Sequence, residues 1–172
     1  VNRHDLVTKS LTVSETGEIS GVAWPFGSAD AAGDVMHPGA FGLVLGPLPM
    51  LWQHRPDEPI GAWDLIEEKS DGLHVRGRLQ IEHSPRAREA QSYLRDGVVR
   101  GLSIGFRLER KAAPRGFGAG RDIRAAHGLR LHEISIVTRP SHPGARVTSM
   151  KSAADAYAIA AALEQFSASL RA

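Results

Sequence analysis

Three short runs of this chain carry side chains that together could perform acyl transfer: Leu51-Trp52-Gln53-His54, Gly101-Leu102-Ser103-Ile104-Gly105-Phe106 and Leu131-His132-Glu133-Ile134-Ser135-Ile136-Val137. A serine hydroxyl is a poor nucleophile until an imidazole takes its proton, and that imidazole needs a third group to fix its tautomer and stabilise the cation that forms. Ser103, His54 and Glu133 supply those three types in that order of role. Gly101 and Gly105, flanking the serine on an otherwise apolar run, are expected to let a substrate backbone approach it. The residues also admit plainer readings: Ser103 as a small residue in a tight strand contact, His54 as a turn cap, Glu133 as the partner of an arginine. The chain has eight histidines, so many Ser/His/acid combinations exist.

A wider pattern weighs for the chemical reading. Gly21-Val22-Ala23-Trp24-Pro25-Phe26-Gly27, Gly33-Asp34-Val35-Met36-His37-Pro38-Gly39-Ala40-Phe41, Pro49-Met50-Leu51-Trp52-Gln53-His54, Pro59-Ile60-Gly61, Gly101-Leu102-Ser103-Ile104-Gly105-Phe106 and Glu133-Ile134-Ser135-Ile136-Val137 follow one another in that order. From about Leu11 to about Lys151 the chain resembles the prohead maturation serine proteases of tailed phages and gene transfer agents. The resemblance implies a fold related to the herpesvirus capsid protease. It also implies a serine endopeptidase that trims scaffold or capsid protein segments, and in some cases itself, inside the immature capsid in the host cytoplasm. Residue by residue it puts the family histidine on His54, the serine on Ser103 and the acid on Glu133. Herpesvirus relatives use a second histidine as third member, which leaves the neighbouring His132 as the alternative. Adjacent strand residues point to opposite faces, so only one of the two can serve. Glu133 is preferred because a carboxylate favours the developing imidazolium more than a neutral ring does. The rival function is a catalytically inactive assembly factor with the same fold, against which the presence of both His54 and Ser103 argues.

Composition bounds these readings. At 172 residues with 42% hydrophobic content, the chain can build one well-buried core. It has no cysteine, which excludes disulfides, thiolate metal sites and a cysteine nucleophile. No signal peptide or membrane span is legible, so a soluble intracellular protein is expected. The formal charge is +2 and the pI about 9.3, but the arginines are scattered and aromatics are only 6%. Nucleic acid is therefore not expected as a partner; capsid and scaffold segments are, with self-association open. No cofactor or metal is expected, since Asp30, Asp34 and His37 match no common ligand spacing and suit turns.

The elements that must position the three groups follow from local patterns. Val7 to Val13 and Glu18 to Trp24 read as a hairpin of opening strands. Phe26 to Pro49 reads as loop with a helical turn near Ala40 to Leu45, followed by strands at Met50–Gln53 and Ile60–Glu67 around a polar loop from His54 to Pro59, whose Asp57 and Glu58 read as solvated. Leu73, Val75, Gly77, Leu79 and Ile81 alternate with polar residues, the pattern of a half-buried strand. Ser84-Pro85 opens a helix that Gly97 stops, with Ala90, Tyr93 and Leu94 inward. Strands are expected at Gly101–Phe106 and Leu129–Arg139, an exposed loop from Lys111 to Ala126, and His142 in a turn. Ser152 to about Leu170 reads as an alanine-rich helix with Ile159, Leu163, Phe166 and Leu170 on one stripe. The expected whole is α+β: a mainly antiparallel β barrel or curved sheet with flanking helices, residues 1–151 forming a protease domain and 152–172 a packing or assembly segment.

Overall fold

The computed structural model describes residues 16–44, 46–108, 116–118, 121–126 and 128–150. Within them the chain is mostly β. In order the strands are β1 (Glu18–Pro25), β2 (Asp34–Met36), β3 (Leu48–Trp52), β4 (Arg55–Lys69), β5 (Gly72–Leu79), β6 (Gly101–Leu108), β7 (Gly116–Gly118), β8 (Arg121–Ala126), β9 (Leu129–Val137) and β10 (Arg146–Met150). One helix, α1 (Pro85–Arg95), lies between β5 and β6.

Seven strands close into a barrel in the order β1-β10-β6-β9-β3-β4-β5, and β2, β8 and β7 form a small second sheet. Neighbours in the barrel are antiparallel except β3 and β9, which run parallel from Met50↔Ile134 to Trp52↔Ile136. The barrel follows from period-two patterning: in β5, Leu73, Val75 and Leu79 are buried while Arg76 and Arg78 are exposed. Inward residues of the other strands, Met50, Ile60, Trp63, Leu102, Ile134 and Ile136, are almost completely shielded. Each such side chain contributes roughly 1.5–3 kcal/mol by leaving water.

Helix α1 forms where the local signals put it. The Ser84 hydroxyl accepts the Ala87 N–H at 3.1 Å, and Pro85 takes the first turn, where its missing donor costs nothing. Gly97, at φ 70°, reverses the chain, and the N–H groups of Gly97 and Val98 return to the carbonyls of Leu94 and Tyr93. Ala87, Ala90 and Leu94 enter the core, while Tyr93 stacks on Trp52 with ring centroids 6.0 Å apart. The helix thus braces the end of β3.

Several expectations are corrected. Residues 40–44 form no helical turn, and the stretch expected to be loop holds β2 and the start of β3. Within the expected Lys111–Ala126 loop, residues 116–118 and 121–126 are strands: β7 pairs with β8, and β8 runs parallel to β2. Glycine and arginine do not signal a strand by type, so backbone pairing decides here, locally for β7 with β8 and over a long separation for β8 with β2. The plural flanking helices reduce to α1 among the described residues. Strand β1 has β10 and β5 as its neighbours. The expected strand at Val7–Val13 and the helix from Ser152 lie outside the described residues.

His142 sits in a turn, as expected, but is also buried and pins two loops together. Its Nδ1 accepts the Gly144 N–H at 3.1 Å, its Nε2 lies 3.0 Å from Ser28 Oγ, and its ring packs edge-on against Trp24. Beside it Asp30 caps its own turn by accepting the N–H groups of Ala32 and Asp34, and takes the Ser141 hydroxyl at 2.5 Å. The β9–β10 connection is fixed by these bonds where it passes the start of β6, with Pro140 lying over Gly101.

Candidate active site

His54 occupies a backbone position that few residues tolerate. Strands β3 and β4 are joined by a two-residue turn, Gln53-His54, with Trp52 facing Arg55. Both turn residues have positive φ, 53° and 60°, the sign pattern of a type I′ turn, which ordinarily calls for Gly, Asn or Asp. Holding two L-residues there costs on the order of 1 kcal/mol each, so their surroundings must hold them. The holding bonds come from β9. The Gln53 N–H reaches the Ile136 carbonyl at 3.0 Å, and the His54 N–H reaches Ser135 Oγ at 3.1 Å.

The polar loop expected after His54 is instead the irregular start of β4. Register jumps from Trp52↔Arg55 to Leu51↔Pro59, leaving Pro56, Asp57 and Glu58 as a bulge. Glu58 is not simply solvated. It lies 3.3 Å from the guanidinium of Arg55 and 3.3 Å from that of Arg86 on α1, tying the bulge to the helix.

The His54 ring meets Glu133 directly, Nδ1 to Oε1 at 2.7 Å. The second carboxylate oxygen, Oε2, accepts the Ser135 hydroxyl at 2.7 Å. The Glu133 side chain is 13% exposed and that of His54 44%, so the carboxylate is shielded while the ring keeps an open edge. The hydrogen bond to Glu133 raises the imidazole pKa above its usual value, partial burial opposes the rise, and charge attraction to Glu133 adds to it.

Ser103 is on β6, one strand beyond β9. The Leu102 N–H is spent on Ala145 at the far side, so by alternation Gly101, Ser103 and Gly105 direct their backbone groups to β9. Their partners there are Val137, Ser135 and Glu133. Directly opposed residues share a face, with Cβ atoms about 4.5–5.5 Å apart. Ser103, Ser135 and Glu133 therefore stand on the same side of the sheet, opposite the buried face of Leu102, Ile134 and Ile136. Ser103 is 7% exposed. The glycine after it has a different use from the one its sequence suggests. A methyl at Gly105 would overlap Glu133 Oε1 and stand 2.9 Å from Cδ, so the missing side chain makes room for the carboxylate.

A bulge separates His132 from Glu133 in space. Gly105 pairs with Glu133 and Phe106 with Leu131, so His132 is the extra residue and is exposed. A bulge of this kind re-aims neighbouring side chains. Glu133 is the member of the pair that reaches His54.

Ser135 went unread in the sequence. The signal was there only as an i, i+2 spacing from Glu133 on a strand, which puts both on one face. Among the described residues no group of three or more His, Cys, Asp or Glu side chains is arranged to hold a metal ion. The arrangement can hold an imidazole with Nδ1 protonated, leaving Nε2 as the base.

Comparison with known proteins gives the site its family. The family model described as caudovirus prohead serine protease matches residues 4–159. The prohead protease of Enterobacteria phage HK97 is 32% identical over 161 residues, which span 85% of this chain and 70% of the relative. The capsid polyprotein of Pseudomonas phage PAJU2 is 35% identical over 135 residues, 73% of this chain but only 19% of that longer protein. A family match over most of its length makes this chain a member of the caudovirus prohead serine proteases.

Proposed function

We propose that the chain is a serine endopeptidase of capsid maturation in which Ser103 is the nucleophile, His54 the general base and Glu133 the residue that orients His54. The observation that carries the reading is the 2.7 Å bond from His54 Nδ1 to Glu133 Oε1, on the sheet face that also bears Ser103. In the proposed reaction, Ser103 Oγ attacks a peptide carbonyl as its proton passes to His54 Nε2. Glu133 stabilises the imidazolium, which then protonates the leaving amine. Water repeats the sequence on the acyl-enzyme and frees Ser103. Backbone N–H groups carry the oxyanion's charge during both steps.

The substrates we propose are capsid and scaffold polypeptide segments within the immature capsid, in keeping with relatives named for the prohead and for a capsid polyprotein. The herpesvirus-protease-like fold belongs to the same proposal, supported by the closed seven-stranded barrel. Incubating the chain with an alkyl fluorophosphonate and mapping the adduct tests the chemistry. The expected adduct is on Ser103, with none on Ser103→Ala, and His54→Ala should slow labelling by about 10⁴-fold or more. An unlabelled but folded parent would favour the inactive assembly factor instead.

A further inference from the structure

We propose that Ser135 is a positioning residue that locks the proposed reacting set into one geometry, acting as a clamp between Glu133 and the backbone of His54. The inference rests on the catalytic reading of Ser103, His54 and Glu133 given above.

Ser135 is fully buried, with 0% exposure, so its hydroxyl has no water to bond and must find protein partners. A serine hydroxyl offers one donor and two acceptor positions. Its proton goes to Glu133 Oε2 at 2.7 Å, and a lone pair receives the His54 N–H at 3.1 Å. Its backbone is the direct partner of Ser103 in the β6–β9 ladder. This one residue therefore contacts each of the three groups: the nucleophile through the ladder, the acid through its hydroxyl proton, the histidine through its hydroxyl lone pair.

Each contact limits a different freedom. With Oε2 held by Ser135, the carboxylate cannot rotate Oε1 away from Nδ1. With its N–H held by the same oxygen, His54 stays in the left-handed turn that aims its ring at Glu133. Nδ1–H is then fixed as the donor, and Nε2 is left as the base. Alanine at this position would leave two orphaned partners, one of them a shielded carboxylate oxygen.

The test uses the full chain and an alkyl fluorophosphonate, which reports an activated serine without any knowledge of the cleavage sequence. An absent Ser103 adduct in the parent defeats the catalytic reading and this proposal with it. Where the parent is labelled, Ser135→Ala is expected to slow labelling about 10- to 100-fold through loss of alignment. It should also broaden away the downfield His54 Nδ1 proton in the NMR spectrum, and Ser135→Thr, which keeps the hydroxyl, should restore both. On a Glu133→Gln background the alanine change should cost less than about two-fold further, because a residue acting through another is not additive with it. Labelling by Ser135→Ala within about two-fold of the parent, with the downfield proton intact, overturns the proposal, and so does full additivity with Glu133→Gln. If circular dichroism finds the alanine variant unfolded, Ser135→Cys, which keeps the volume and only a weak donor, is read by the same criteria.

Discussion

At the scale of single residues, Gly105 and His54 make the sharpest predictions. An added Cβ at Gly105 meets the Glu133 side chain, with Cγ and Cδ both 2.9 Å away, and so must displace it from His54 and Ser135, whereas one at Gly101 meets the Val137 carbonyl at 2.6 Å and the Pro140 ring at 2.8 Å. Gly105→Ala is therefore expected to fold, to melt below the parent, and to label with fluorophosphonate at least about 100-fold more slowly. Gly101→Ala should lose about 1–3 kcal/mol of stability in urea titrations. Labelling of Gly105→Ala within about two-fold of the parent would contradict this account. In the proposed reaction the raised imidazole pKa sets the pH dependence, because there only neutral His54 can take the Ser103 proton. The labelling rate should climb with pH to a midpoint above about 6.5, and Glu133→Gln should lower that midpoint. The effect on stability has the opposite sense. The folded state holds the proton more tightly than the unfolded chain, so the pair's stabilising contribution is complete below the ordinary imidazole pKa and vanishes as pH rises through the raised one. The melting-temperature gap between parent and Glu133→Gln should accordingly narrow from about pH 5 to about pH 9.

At the scale of elements, legibility tracked how local each cause was. The Gly72–Leu79 strand and the Pro85–Arg95 helix were readable because alternation, an N-cap serine, a first-turn proline and a stop glycine act over a few residues. Ser103, His54 and Glu133 could be listed as candidates from type and resemblance. The turn at Gln53-His54 could not be read, since neither residue is one that a type I′ turn selects; its conformation is imposed by Ile136 and Ser135, more than eighty positions downstream. A comparable distance hid β8, whose parallel partner is β2, while the bulge at His132 depends on the pairing of β9 with β6. That imposed turn yields a stability prediction. His54→Gly and His54→Ala remove the same ring, but only glycine accepts φ 60° freely. The glycine variant should be the more stable by about 1 kcal/mol in urea titrations. Were alanine equal or better, the turn would not be under the strain its angles imply.

At the scale of the whole molecule, the barrel has an uneven seam. Strands β6 and β9 pair along their full length, from Gly101↔Val137 to Leu108↔Leu129, whereas β6 and β10 are in register only at Arg146↔Gly101. Two further bonds, Leu102 N–H to Ala145 and Val147 N–H to Arg100, complete that side. Local opening follows the fewest bonds, so the amides of Leu102 and Val147 should exchange with solvent faster than those of Ser103 and Ser135. Uniform protection across both seams would refute this. No described strand extends beyond Met150. A chain truncated after Lys151 is expected to keep the barrel and the Ser103 adduct, and loss of either would assign the following segment to the fold itself.

The parallel pairing of β3 with β9 carries a consequence for time as well as geometry. It joins Met50 to Ile134 across nearly half of the chain, and contacts of such long sequence separation are among the slowest to form. His54 cannot meet Glu133 before that pairing exists. A freshly made chain would thus gain the proposed chemistry only once β9 has paired with β3, a delay set by folding alone. In refolding from urea, reactivity toward fluorophosphonate should appear with the slowest phase and not before it.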